Sequence, residues 1–428
     1  MSVVILAIGL IVFLAHFFTA LFEKTKIPDV LLLMLIGILG GPVLAIVTPQ
    51  DFGRFGSVLT TIALIVILFE GGTTLNVKTL GQAIGPTLAL TLLTFVVTAC
   101  FVAGLCLVIL QFSVLASMMA GAIVGGTSSA VVVPMVRGLK MKEPGSTILI
   151  LESALTDVLC IVLTFAFLQA FTEGNLTAGE VIVTILKSLI IAMVIGFIGS
   201  LAWQSVLRWV RQYPNTLFTT LAFIFVLYGA SELMGYSGAI TALSFGITMT
   251  NFENFKLHKL PFLRTKSFAQ VTSREKSFYS EMVFLLKIFF FIYLGISIRF
   301  DNLGLFVFGL FAVAGIYFLR LVVTRLITSR KTTWKDASMT SIMVPKGLAA
   351  AVLAGLPAQT GVPEGVTIQS MTYAIVLISI LLTAVMVPLI DRSGLQNVYR
   401  RIFGPFADDT PVPVSTQPHH QPPVQTEG

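Results

Sequence analysis

The chain reads as long apolar runs separated by short polar connectors. A helix needs about 20 apolar residues to cross the hydrocarbon core of a bilayer. By that rule the runs predict thirteen membrane-spanning helices, at about 2–21, 30–47, 55–72, 83–110, 113–136, 146–171, 178–207, 215–234, 236–251, 279–298, 303–328, 337–358 and 365–390. The run 236–251 is short and glycine-rich, and reads as a partial crossing that pairs with its neighbour.

Composition agrees. Of 428 residues, 56% are hydrophobic and only 11% are charged, against about a quarter in soluble domains. So few charges cannot clothe the surface of a soluble protein this long, which leaves an all-α polytopic membrane protein. The net charge of +7 lies in connectors and forms no basic–aromatic stripe, so nucleic acid is not an expected partner. Positive charge marks the cytoplasmic side. Twenty of the 27 Lys and Arg fall in alternate connectors and the C-terminal tail, two (Arg54 and Arg299) in the remaining connectors, and five within spans. That asymmetry places the N terminus outside and the C terminus in the cytoplasm. The first run has no positive region before it and is followed by Lys24 and Lys26, so it reads as a span, not a cleaved signal.

Residues 1–406 are thus expected to form a membrane domain. Residues 407–428, rich in proline, threonine and glutamine, are expected to form a disordered cytoplasmic tail; His419 and His420 belong to it. The connector 252–278 carries six basic residues that suit anionic lipid head groups. Asn175 opens a glycosylation sequon on an outer connector. Cys100, Cys106 and Cys160 lie inside apolar runs without metal or disulfide spacing and read as packing residues. No cofactor and no catalytic constellation are expected, and His16 reads as a packing residue.

A charge at bilayer depth costs about 2.5–3.5 kcal/mol even on the lenient scale, so such residues are functional candidates. They are Glu70, Glu152, Asp157, Lys187, Lys287, Arg320, Arg325 and Lys346. Asp157 lies about eleven residues into its span, roughly 16 Å deep and near the midplane. Ser153, four residues earlier, shares its face at about 40°, whereas Glu152, at about 140°, faces elsewhere. Asp157 is therefore the expected binding carboxylate. Glu152 is expected to pair with Arg320, at similar depth, and to fix helix positions. Arg325, near an inner end, can snorkel to the surface. Glu70, near the inner end of the third span, is the expected entrance.

Two spans carry helix breakers at midplane depth. One reads Gly125-Gly126-Thr127-Ser128-Ser129 and then Pro134; the other reads Pro345-Lys346-Gly347 and ends at Gly355-Leu356-Pro357. Broken backbone in a membrane is tolerated only beside protein or a cavity. Each break lies one span before the end of a six-span half. The expected fold is therefore two inverted repeats with crossed, broken helices, the pattern of secondary transporters. Lys346 then either neutralises the dipoles of the facing half-helices, which is the favoured role, or releases its proton during transport.

These residues resemble the monovalent cation–proton antiporters, in particular the NhaP-like sodium–proton exchangers, over roughly 1–400. The carriers are Phe69-Glu70-Gly71-Gly72, Gly126-Thr127-Ser128-Ser129, Glu152-Ser153-Ala154-Leu155-Thr156-Asp157, Gly235-Tyr236-Ser237-Gly238-Ala239, Tyr293-Leu294-Gly295, Arg320 and Lys346-Gly347. The resemblance implies that Asp157 binds cation and proton alternately, with Thr127 and Ser153 supplying neutral oxygens to a monovalent cation; Thr156 and Ser128 complete the candidate set. It implies a glutamate–arginine pair at Glu152 and Arg320, and a homodimer with a mobile six-helix core beside a dimerisation domain. The chain departs from the family where Thr156 replaces the usual Asn or Asp, and where Ser128-Ser129 replace Asp-Pro. With no second acidic residue beside Asp157, one-for-one electroneutral exchange is expected.

The function expected is exchange of a monovalent cation, Na⁺ first and Li⁺ or K⁺ as alternatives, for H⁺ across a prokaryotic plasma membrane. The rival readings are a channel-like potassium efflux protein, a non-transporting sensory protein and a proton-coupled organic anion transporter.

Overall fold

The computed structural model describes residues 2–25, 27–74, 84–139, 141, 145–173, 178–214, 216–252, 271–328, 332–392, 395–404 and 406. The tail 407–428, the sequon at Asn175 and most of the basic connector lie outside the described residues. Among those described, every regular element is helical. The first half of the chain forms α1 (Ser2–Thr25), α2 (Asp29–Ile38), α3 (Gly53–Thr74), α4 (Ile84–Val108), α5 (Val114–Gly125), α6 (Ser129–Gly138), α7 (Gly145–Glu173) and α8 (Ala178–Val210). The second half forms α9 (Thr219–Leu233), α10 (Gly238–Asn251), α11 (Ser273–Ser297), α12 (Leu303–Ile327), α13 (Trp334–Ile342), α14 (Leu348–Leu353), α15 (Leu356–Gln359), α16 (Gly365–Arg392) and α17 (Leu395–Ile402). Nine stretches among the described residues are long and apolar enough to cross a membrane, and three shorter apolar ones lie between them.

Short polar side chains set several helix starts by accepting backbone N–H bonds that the first turn leaves over. Ser113 caps α5, Ser237 caps α10, Asn302 caps α12 and Thr333 caps α13. Thr272 and Glu275 form a reciprocal capping box that starts α11 at Ser273. This is six residues before the expected start, because apolarity marks only the part of a helix inside lipid. The run 236–251 is a continuous helix from Gly238 to Asn251, packed between α3 and α8.

The helices pack as two bodies. α1–α3 and α8–α11 make a scaffold; α4–α7 and α12–α16 make a core, with α17 packed on α13 and α16. Contacts within each body are dense and those between the bodies are sparse. Each body draws on both halves of the chain. The broken helices, α5–α6 and α13–α14, are the middle members of the two core triplets.

Glycine lets scaffold helices approach at backbone distance. A methyl at Gly246 on α10 would collide with the Phe69 carbonyl on α3, and the Gly72 Cα of that helix is 3.2 Å from the same point. A similar contact joins Gly37 and Gly295, across α2 and α11.

Polar contacts join helix ends that alternating crossings would put on one side. Arg211 at the end of α8 pairs with Glu275 in the first turn of α11 at 2.6 Å. The Ser113 amide donates to Glu364 at 3.0 Å. Arg325 Nε donates to the Ile402 carbonyl at 3.0 Å and its guanidinium lies over Phe406. Arg325 is therefore bound to the C-terminal helix, where the sequence suggested a snorkelling side chain.

Overpacking a close contact typically costs about 1–3 kcal/mol. Gly246→Val should therefore lower the thermal unfolding temperature in detergent, whereas Gly9→Val, where an added Cβ meets no atom of another segment within 4 Å, should not. Equal unfolding temperatures for the two variants would contradict the close α3–α10 contact.

Candidate functional site

The two breaks meet, and their backbone groups are hydrogen-bonded to protein. At the first, the amide of Gly126 donates to Cys160 Sγ at 3.1 Å, that of Thr127 to Thr156 Oγ1 at 3.1 Å, and that of Ser128 to the Pro345 carbonyl at 2.8 Å. At the second, the Lys346 amide donates to Ser379 Oγ at 2.9 Å. A methyl at Gly347 would collide with the Ser128 side chain, so only glycine lets the crossing close. Thr156 and Cys160, one turn apart on α7, hold the first break; Ser379 on α16 and Ser128 hold the second.

Charges sit at the ends of the half-helices. Lys346 Nζ donates to the Gly126 carbonyl at 2.7 Å, at the C-terminal end of α5. Arg320 Nε donates to the Thr340 carbonyl at 2.9 Å, in the last turn of α13. Both place a cation where a helix leaves carbonyls unpaired and its dipole is negative. Arg320 also holds Glu152 in a two-pronged pair, Nη1 to Oε1 at 2.5 Å and Nη2 to Oε2 at 2.8 Å, with both side chains only 1% exposed.

Asp157 is near the middle of α7, where that helix faces the scaffold. It lines a cavity of about 60 Å³ between the bodies, room for a cation and a few waters. Leu64, Ile67 and Leu68 of α3 and Leu243 of α10 form the scaffold wall. Ser128 and Ser129, at the start of α6, are the hydroxyl residues that line it. Ser129 Oγ donates to Asp157 Oδ2 at 2.7 Å. The carboxylate thus lies at the N-terminal end of a half-helix, where the dipole favours negative charge.

The other residues expected at the site are placed differently. Ser153 is fully buried and its hydroxyl donates to the Ile150 carbonyl at 2.9 Å. The hydroxyls of Thr127 and Thr156 face each other at 3.4 Å, and that of Thr156 also donates to the Ser153 carbonyl at 3.2 Å. None of the three lines the cavity. Glu70 is near the C-terminal end of α3, where Ser280 donates to it at 3.5 Å. Lys287 pairs with Asp29 at 2.7 Å, across the α2–α11 contact, and Lys187 is exposed on α8. His16 packs edge-on against Phe284.

Sequence reasoning passed over two residues. Ser129 was legible as a hydroxyl beside the break. Cys160 was read as apolar packing, and only the approach of Gly126 shows its sulfur to be an acceptor.

Known proteins resemble this arrangement. The family model for the transmembrane part of sodium/hydrogen exchangers matches residues 9–390. The chain is 24% identical to Na(+)/H(+) antiporter 1 of Methanocaldococcus jannaschii over 361 residues, 81% of each chain. It is 26% identical to the Na(+)/H(+)-K(+) antiporter GerN of Bacillus cereus over 383 residues, 85% of this chain and 89% of that one. Its fold matches the solved structure of the sodium proton antiporter MjNhaP1 from M. jannaschii at pH 8, with a TM-score of 0.72 and 23% identity over 90% of this chain and 99% of that one.

Removing one partner of a buried ion pair costs about 3–5 kcal/mol, because the other charge is left unpaired. Glu152→Ala should therefore strongly reduce thermal stability in detergent. Glu152→Leu combined with Arg320→Met should recover part of the loss, but not all, since the Thr340 carbonyl stays without its donor. A double variant no more stable than Glu152→Ala would refute a pair of this kind.

Proposed function

This chain belongs to the sodium/hydrogen exchanger family, a family of cation–proton antiporters that are transporters and not enzymes, and we propose that it exchanges Na⁺ for H⁺ at Asp157. The observation that carries the proposal is one carboxylate lining a small cavity between two sparsely joined bodies, beside two broken helices. The bare charge faces an apolar scaffold wall, and leaving a charge unpaired there is costly. A bound proton or a bound monovalent cation each removes that cost. The loaded core can then move past the scaffold while the empty charged core cannot, which couples the two fluxes. Na⁺ is the first choice because the two relatives described above, matched over 81% and 89% of their length, carry it in their names; one of these names includes K⁺ as well.

Two rivals lose support. A channel needs a continuous polar path, whereas this cavity has a leucine-rich wall. An organic anion would need a free counter-charge and more room, whereas the Lys346 ammonium is bonded to the Gly126 carbonyl and the cavity holds about 60 Å³. We further propose thirteen crossings with the N terminus outside the plasma membrane of a prokaryote, Glu70 at the inner entrance, and a homodimer.

Asp157→Asn should abolish cation-driven proton flux in proteoliposomes while leaving a folded protein. Wild-type exchange by that variant would end this reading.

One carboxylate exchanging one proton for one monovalent cation moves no net charge. An imposed potential should then leave the reversal point of proton flux unchanged. If a net charge moved per cycle, 100 mV would be worth about 2.3 kcal/mol, a nearly fiftyfold change in the equilibrium cation gradient. A reversal point that tracks voltage would overturn electroneutrality and direct attention to Lys346.

A further inference from the structure

We propose that Ser129 is a ligand of the transported cation and, with Ser128, sets which cation the site accepts. The inference rests on the reading of Asp157 as the transport carboxylate and goes beyond it by naming the neutral oxygens that act with it.

Three observations carry the inference. Ser129 is the first residue of α6 and lines the cavity with Asp157. Its hydroxyl donates to Asp157 Oδ2 at 2.7 Å, so its oxygen lies in the immediate shell of the carboxylate. Of the hydroxyls expected from sequence, Ser128 lines the cavity and the other three are engaged elsewhere: Ser153 on the Ile150 carbonyl, Thr156 on the Ser153 carbonyl and the Thr127 amide, and Thr127 against Thr156.

A hydroxyl has one donor and two acceptor sites, and the hydrogen can rotate about the C–O bond. That matches each state the carboxylate must pass through. When Asp157 is bare, Ser129 donates to it, as observed. When Asp157 is protonated, its O–H can donate and Ser129 accepts. When a cation binds, the Ser129 O–H turns away and a lone pair faces the metal. In each case the proton that leaves Asp157 goes to water, and the Ser129 proton stays on Ser129. A carboxylate and two adjacent hydroxyls are too few oxygens to replace a whole hydration shell. The cation therefore enters with part of its water, and the space beside Ser128 and Ser129 limits how much.

The test is Na⁺-, Li⁺- and K⁺-driven proton flux in proteoliposomes of the full-length protein, comparing wild type, Ser129→Ala, Ser129→Thr and Asp157→Asn. A hydrogen-bonding group that acts on a charged partner typically affects binding by about tenfold or more. Ser129→Ala should raise the Na⁺ KM by about that factor, keep the maximal rate within about twofold and change the Na⁺:K⁺ preference. Ser129→Thr keeps the hydroxyl and should hold the KM within about threefold of wild type. Wild-type KM values for all three cations in Ser129→Ala, with Asp157→Asn inactive, would overturn the role of Ser129 and leave that of Asp157 standing. A Ser129→Thr KM as high as that of Ser129→Ala would also overturn it, since packing and not the hydroxyl would then matter. Exchange by Asp157→Asn would remove both readings. If Ser129→Ala is not recovered folded, Ser129→Cys, a weak acceptor of similar size, takes its place with the same expected rise in KM; an unchanged KM again overturns the proposal.

Discussion

Everything at the site depends on one constraint: unwound backbone at membrane depth must find hydrogen-bond partners inside the protein. Residues 126–128 meet it with three acceptors of different chemistry: a thiol sulfur, a threonine hydroxyl and a backbone carbonyl. The first two come from α7 and the third from the second break, far away in sequence. The constraint fixes where α7 and the second break must lie, and so where Asp157 lies. It also gives Thr156 a structural task. Its hydroxyl accepts from the Thr127 amide, as a side-chain carbonyl or carboxylate would, but adds no second ionisable group next to Asp157.

The same breaks create four helix ends inside the membrane, and the charges follow their polarity. The two C-terminal ends each receive a cation, Lys346 on the Gly126 carbonyl and Arg320 on the Thr340 carbonyl. The start of α6 faces the carboxylate. Glu152 offsets the second cation, so Arg320 serves a helix end without adding a net charge to the core. The electrostatics leave Asp157 exposed to the seam between the bodies, while the supporting charges are enclosed within one of them.

Much of this was legible in the sequence. Apolar run length located the helices, because lipid imposes a minimum length. Glycine and proline at midplane depth located the breaks, because those residues disfavour regular helix. The depth of a charge selected Asp157, Glu152, Arg320 and Lys346. Hydroxyl direction was not legible. Helical spacing puts Ser153 on the same face as Asp157, yet a serine inside a helix can bond its own backbone, and Ser153 does so. Asp29 was missed because it stands at the edge of an apolar run and counts as a connector residue until α11 brings Lys287 to it. The start of α11 was placed late for a related reason: its first turns are polar, and a capping box holds them.

The bond between the Ser128 amide and the Pro345 carbonyl has a consequence for how the chain is made. The two core triplets are separated by the whole of α8–α11, so the first is in the membrane long before the second is synthesised. Until then the amides of Gly126 and Thr127 can already be served by Cys160 and Thr156, which follow within the same triplet. The Ser128 amide and the Gly126 carbonyl have to wait for Pro345 and Lys346. The first triplet is thus inserted in a form whose break is partly served from within, and it is completed only when the C-terminal part arrives. Assembly of the membrane domain therefore has a fixed order.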